Sequence, residues 1–374
     1  MPAIVSKVAA PGQEALSQYP EALLYEPVAG KPGKVRCNMC QWRCTISAGG
    51  YGVCRTRYND GSKLYALNYG EVSALHIDPI EKKPLAHFYP ATKVLSLGGW
   101  GCNFHCIHCQ NWQISFTAPL EGHPASRKLS PEQVIAICKQ SGCAGIAWTY
   151  NDPSIWLEYT LATAKLAKAA GLYTVYVTNG YATPEHLDMI APYLDCWRVD
   201  VKGFSDKFYR ELARITRWRD VLDVAVLAQR KGLHVEVITN VIPTLNDDAE
   251  QLRATAEWVR DALGLQTPWH VTGFHPDNEL LNLPPTPVET LEMGVRIGRQ
   301  VGLRFVYIGN VPGHRDENTF CYRCGKLVVD RQGYRTQVLG LNGSRCKYCD
   351  ADLNFRGAPQ GEGRYSDGRI ISLA

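Results

Sequence analysis

The chain has 374 residues, 45% of them hydrophobic, which exceeds one ordinary core and predicts two or three folded units. Its net charge of +4 is mild and neither demands nor excludes nucleic acid. No run long enough to span a bilayer appears and the start lacks a signal-like pattern, so a cytoplasmic, soluble protein with no membrane partner is expected.

In such a chain 14 cysteines argue for metal rather than disulfides. Residues 1–34, rich in Pro, Gly and Ala, read as an arm with a short helix around Glu21–Tyr25. Then comes Cys37-x2-Cys40-x3-Cys44-x9-Cys54, with Gly49, Gly50 and Gly52 turning the chain before the last cysteine. Four thiolates so close in sequence suit zinc or an Fe–S centre, here an auxiliary cluster; buried free thiols are the plainer alternative. Residues 63–77 read as short strands. The run from Asp78 to Phe88 contains Pro79 and Pro84, which forbid a regular helix, and its charge favours a solvated loop.

From Lys93 to Pro312 short apolar runs alternate with amphipathic stretches. The strands are expected at Val94–Leu97, Gly145–Thr149, Tyr173–Thr178, Cys196–Val201, His234–Thr239, His270–Phe274 and Arg304–Ile308. The helices are expected at Pro131–Gln140, Ser154–Ala170, Pro184–Tyr193, Val221–Lys231, Asp248–Leu263 and Thr286–Val301. Ser130-Pro131, Thr183-Pro184 and Thr286-Pro287 each set a cap residue before a first-turn proline. Buried strands alternating with helices imply a parallel sheet with right-handed crossovers. The fold class is therefore α/β: a partial (β/α)6 TIM-like barrel over 93–316. Residues 1–92 precede it as an arm and four-Cys metal segment, and 317–374 follow as a zinc-ribbon-like module and tail.

Chemistry in such folds sits at the carboxyl ends of strands. The polar motifs fall there: Tyr150-Asn151-Asp152, Asn179-Gly180-Tyr181, Asp200-Val201-Lys202, Asn240, His275-Pro276-Asp277 and Gly309-Asn310. Ahead of them, directly after the first strand, stands Gly101-Cys102-Asn103-Phe104-His105-Cys106-Ile107-His108-Cys109-Gln110-Asn111. Its C-x3-C-x2-C spacing lets three thiolates hold three irons of a [4Fe–4S] cube, leaving the fourth iron open to a small molecule. The rival is a Cys3His zinc site using His105 or His108. Near the C-terminus, Cys321-x2-Cys324 and Cys346-x2-Cys349 flank strand-like stretches around Gly333, the pattern of a zinc ribbon. The chain from Ala358 reads as loosely ordered.

These motifs resemble the radical SAM (S-adenosyl-L-methionine) superfamily. The resemblance rests on Asp78–Leu85, Gly101–Asn111, Thr149–Pro153, Val177–Tyr181, Val306–Asn310 and the last four cysteines. It extends to the subgroup around pyruvate formate-lyase activating enzyme and, more closely, to the radical SAM member of the AmmeMemoRadiSam system. The resemblance implies that Cys102, Cys106 and Cys109 carry a [4Fe–4S] cluster whose open iron binds SAM. Reductive cleavage of SAM then yields a 5′-deoxyadenosyl radical that abstracts hydrogen from a substrate. It implies that Asn151 and Asp152 lie at the SAM amino group, Asp200 and Lys202 near the methionine moiety, and Asn179 at the ribose. His108 falls beside the adenine and His275 near SAM. It further implies a reductant such as flavodoxin or ferredoxin and Memo-like and AMMECR-like partners.

Plainer readings stand beside these. Asn151 and Asn179 can cap helices, and Asp200 and Lys202 can be a structural pair. Cys138, Cys143 and Cys196 read as packed thiols, and His123, His186 and His234 carry no signal. The Arg210, Arg214, Arg217, Arg219, Arg230 and Lys231 cluster reads as a solvated face. Two other functions remain: a glycyl-radical enzyme activase, and, of another class, a non-catalytic zinc-binding adaptor.

Overall fold

A computed structural model describes residues 11–118, 127–359 and 363–373. His123, the first ten residues of the arm and parts of the tail lie outside the described residues. Among the described residues no helix is long and apolar enough to cross a membrane.

Eight strands form the body of one sheet: β1 Ala74–Pro79, β2 Lys93–Gly98, β3 Gly145–Trp148, β4 Tyr173–Thr178, β5 Cys196–Asp200, β6 His234–Val241, β7 Trp269–Gly273 and β8 Val306–Gly309. From β2 to β8 each strand pairs in parallel with the next in sequence. β1 runs antiparallel to β2, and Ile371–Ser372 pairs antiparallel with β1 at the sheet's edge. The strands are short, β-branched or aromatic, and almost wholly buried, as a sheet covered on both faces requires.

The crossovers are α1 Pro131–Gln140, α2 Leu157–Ala169, α3 Pro184–Ile190, α4 Arg219–Arg230, α5 Ala249–Trp258 and α6 Val288–Val301. Ser130 and Gln133 cap α1 reciprocally, Thr183 caps α3 and Asp248 caps α5. Thr286 differs from the expected cap. Its hydroxyl donates to the Val241 carbonyl and accepts from Phe274 N–H, tying the ends of β6 and β7, and α6 begins at Val288.

Two other segments depart from the sequence reading. Glu21–Tyr25 is not helical: Tyr25–Pro27 pairs with Lys34–Cys37, and Glu21 bridges to Tyr65. The Asp78–Phe88 run is not a solvated loop. Leu85 and Phe88 pack against Val94, Tyr173 and Cys196, at the beginnings of β2, β4 and β5. Its backbone is held from inside the sheet, where the Ala86 and His87 N–H groups donate to the Glu236 carboxylate at 2.9 and 2.8 Å. Charge predicted exposure here, but each charge found a buried partner.

The C-terminal part forms a four-stranded antiparallel ribbon, Thr319–Phe320, Leu327–Gln332, Arg335–Val338 and Tyr365–Ser366. It shares a core with the barrel: Val328, Val338, Leu353 and Phe355 pack with Phe305 and Tyr307 beside and on β8. Arg331 donates to the Ala86 carbonyl at 2.7 Å, locking the ribbon to the internal segment.

Candidate active site

A cavity of about 400 Å3 is lined from the carboxyl end of every parallel strand, which requires the sheet to curve around it. The cysteine loop after β2 brings Cys102, Cys106, His108 and Cys109. β3 and β4 bring Asn151, Asp152 and Asn179, and β5 brings Arg198, Asp200 and Lys202. Asn240, Thr272 and Asn310 complete the ring from β6, β7 and β8. His275 is not among the lining residues; it is exposed, with Nδ1 against the Pro276 carbonyl.

The cysteine loop is held by amides. Asn151 accepts from Gly99 N–H at 3.1 Å and donates to the Gly101 carbonyl at 2.8 Å. Asn179 donates to Asn103 Oδ1 at 2.7 Å, while its own oxygen accepts from Tyr181 N–H. Neither asparagine serves as the helix cap that its sequence position allowed. Asp152 lies one step further back. Its carboxylate accepts from Ser154 N–H, the Ser154 hydroxyl, the Thr178 hydroxyl and Asn179 N–H. Burial raises its pKa, and these four donors oppose the rise. Asp152 therefore positions Asn179, with its lone pairs already engaged.

Charges on β5 are arranged differently. Arg198 and Lys202 both reach Asp200, Lys202 at 3.1 Å. Burial opposes the Asp200 charge, but the two cations hold its carboxyl below the ordinary range. Burial likewise opposes the Lys202 charge, and Asp200 outweighs it, so the ammonium stays protonated. Arg198 Nε is buried and unpartnered, and so is His108 Nδ1. Burial pushes the His108 imidazole down to about 3, so it is neutral.

Sequence reasoning missed Arg198, although it lies two residues before Asp200 and so on the same strand face. It also missed another part of the lining. Lys82 and Lys83 line the cavity and bind Asp78 at 2.9 and 2.6 Å. Burial opposes the Asp78 charge, and the lysines hold it well below the carboxylate range. Tyr150 donates to the same carboxylate at 3.0 Å and lies under the Lys83 ammonium. Its φ of 75° is unusual for a tyrosine and is fixed by those contacts. Tyr334 reaches the cavity from the ribbon turn, which nothing in its local sequence announces.

The donor set fits a polynuclear metal centre. Three thiols sit on one loop, Cys102 and Cys106 buried and Cys109 half-buried. Burial pushes Cys106 up to about 12 and Cys102 well above the ordinary thiol range, so ionised sulfur here requires a cation. Among the described residues, the metal-ligating atoms gathered within 4.8 Å of one another are the sulfurs of Cys321, Cys324, Cys346 and Cys349. The central triad is wider than a single ion takes, and neither His105 nor His108 completes a compact Cys3His site with it. His105 instead stacks on Phe116.

A sequence model of the Radical SAM superfamily matches residues 99–259. An uncharacterized protein of Methanocaldococcus jannaschii is 42% identical over 337 residues, spanning 90% of this chain and 99% of that protein. The isethionate sulfite-lyase activating enzyme of Nitratidesulfovibrio vulgaris is 29% identical over 133 residues, 34% of this chain and 43% of that enzyme. A crystal structure of a radical SAM methyltransferase from Sphaerobacter thermophilus superposes with a TM-score of 0.48 at 16% identity, covering 64% of this chain and 71% of that one.

Proposed function

The chain belongs to the radical SAM superfamily and is an enzyme of that class, and from this premise we propose that Cys102, Cys106 and Cys109 bind a [4Fe–4S] cluster and that the cavity holds S-adenosylmethionine against it. When bound, the reduced cluster and SAM supply a 5′-deoxyadenosyl radical that abstracts hydrogen from the substrate. The observation that carries the reading is the convergence of the three thiols with polar groups from all seven parallel strands on one cavity.

The chain's own residues bind and orient. Lys202, kept charged by Asp200, offers donors to a carboxylate without leaving its partner. The free Nε of Arg198 offers another. Asn151 and Asn179 fix the cysteine loop, and Asp152 fixes Asn179. Neutral His108 presents an aromatic face with no charge to repel a sulfonium.

The substrate is a separate proposal. We favour a small molecule, RNA or protein modified together with Memo-like and AMMECR-like partners, as in the AmmeMemoRadiSam system, with flavodoxin or ferredoxin as reductant. The relative from M. jannaschii supports a shared whole-chain architecture, because the match spans 99% of it. A second reading, a glycyl-radical enzyme activase, is favoured by the likeness to the N. vulgaris activating enzyme, a match that covers a third of this chain. The ribbon cysteines are proposed to hold zinc: their sulfurs stand 3.5 and 3.8 Å apart in pairs, and a tetrahedral zinc with bonds of about 2.3 Å sets about 3.8 Å.

The test is spectroscopic. Adding SAM to the anaerobically reconstituted, reduced protein should change the cluster's electron paramagnetic resonance (EPR) signal, and Lys202→Met should raise the SAM concentration needed by about tenfold or more. A signal indifferent to SAM sinks the proposal. A glycyl radical appearing in a partner protein would select the activase reading.

A further inference from the structure

The three cysteine groups differ in spread. In the ribbon all four sulfurs lie within 4.8 Å, the size of a single-ion site. Cys37, Cys40, Cys44 and Cys54 do not meet that spacing, although Cys40 is near enough to the other three to feel their charge, and Cys37 and Cys44 feel that of Cys54. They share this wider grouping with the central triad. The thiolates of one zinc converge on one atom, whereas those of a cluster each bind a different iron and so stand farther apart.

A second observation lies beside them. Arg57 is 1% exposed, and its guanidinium binds Glu158 at 2.7 and 2.8 Å and the Ile155 carbonyl at 3.1 Å. Its Nε is buried with no partner, although the side chain feels the charges of Cys37 and Cys54. A buried N–H left open beside thiolates is costly unless an acceptor arrives there. The sulfides of an iron–sulfur cluster are such acceptors, additional to the thiolates that either kind of centre would hold.

We propose that Cys37, Cys40, Cys44 and Cys54 hold a second iron–sulfur cluster, a [4Fe–4S] centre with four protein ligands and no open iron. It lies against the loop that carries the first. Trp42 Nε1 donates to the Asn103 carbonyl at 2.7 Å, and the Cys40 backbone bridges to Ala182. Gly101, with φ of 79°, has no room for a Cβ because the Cys54 carbonyl oxygen is there. A centre so placed carries electrons: a low-potential one-electron donor loses one electron to it, and the same electron passes on to the central cluster. The metal assignment stands without the radical SAM reading of the cavity; the electron-carrying role rests on it.

The experiment uses the full chain with Cys102→Ala, Cys106→Ala and Cys109→Ala together, reconstituted anaerobically with ferrous iron and sulfide, with zinc offered in a parallel sample. The proposal expects about four irons and four sulfides per chain to remain, with an EPR signal after dithionite. Stoichiometric zinc without sulfide, or no bound iron, overturns it. Should the triple variant lose its circular dichroism spectrum, Cys37→Ser with Cys40→Ser decides the matter. The proposal expects that chain to lose about half the iron of the unaltered protein; unchanged iron overturns it. A SAM response that persists in the triple variant would fault the central reading instead.

Discussion

Asp152 lines the cavity while its carboxylate is engaged by its own neighbours. All its lone-pair directions are taken by Ser154, Thr178 and Asn179. Asp152→Asn would set an amide N–H against one of these donors and leave it unpaired, at a cost of about 1–3 kcal/mol. Urea unfolding should show that loss, and the Asn179 contact to Asn103 should loosen, weakening SAM binding with it. Asp78 is the second case. Asp78→Asn leaves Lys83 buried without its counter-charge, and calorimetry should find a loss of about 3–5 kcal/mol. His87 is the third. Its ring is fully buried, and burial pushes the pKa down to about 3. Nδ1–H donates to the Leu353 carbonyl and Nε2 accepts from Tyr307, so the neutral ring is the one that fits. The unfolded chain takes up that proton near 6.5 and the folded chain only near 3, so stability is complete above 6.5 and falls with pH below it. The share from this residue is at most about 1.4 kcal/mol per pH unit. Unfolding midpoints from pH 7 to 5 should fall less steeply in His87→Gln; an unchanged slope contradicts this. At this scale the family resemblance pointed to Asp200, Lys202 and His108, and all three line the cavity. Motifs could not show that Asp78 and Lys83 pair out of water, because a buried ion pair and a solvated charge run share one composition.

The elements follow local rules, and those were legible. α1 was expected at Pro131–Gln140 and is found there, because Ser130, Pro131 and Gln133 form a complete start signal. The strand alternation likewise fixed which loops would meet. What local signals could not show is contact between distant elements. The Asp78–Phe88 segment enters the sheet because Glu236, some 150 residues away, accepts its backbone N–H groups. The ribbon faces β8 and lends Tyr334 to the cavity through the turn at Gly333. Cys346→Ser, or chelation, should therefore lower the melting temperature and also change Tyr334 accessibility to modification, with the β2 loop unaffected. The N-terminal module is coupled to the cysteine loop by close approach at Gly101. Gly101→Ala adds a Cβ at a positive φ and against the Cys54 carbonyl. Backbone strain alone costs about 1 kcal/mol or more there, and iron content at the central triad should fall with it.

Over the whole molecule, three cysteine groups flank or line one sheet, and their geometry separates them. The ribbon is compact, the N-terminal group and the triad are open, and the triad alone shares its cavity with strand-end groups of both charges. Arg198, Lys202, Lys82 and Lys83 line that space together with Asp152 and Asp200. Such a mixed lining suits a zwitterionic amino acid joined to a nucleoside better than a simple anion. The central claim is that Cys102, Cys106 and Cys109 hold the cluster at which SAM is cleaved. The measurement that bears on it most directly is the yield of 5′-deoxyadenosine from anaerobically reconstituted protein with SAM and dithionite. The unaltered chain should form it, and Cys102→Ala should not, with its circular dichroism unchanged. Formation of 5′-deoxyadenosine by Cys102→Ala at the rate of the unaltered chain would contradict the claim.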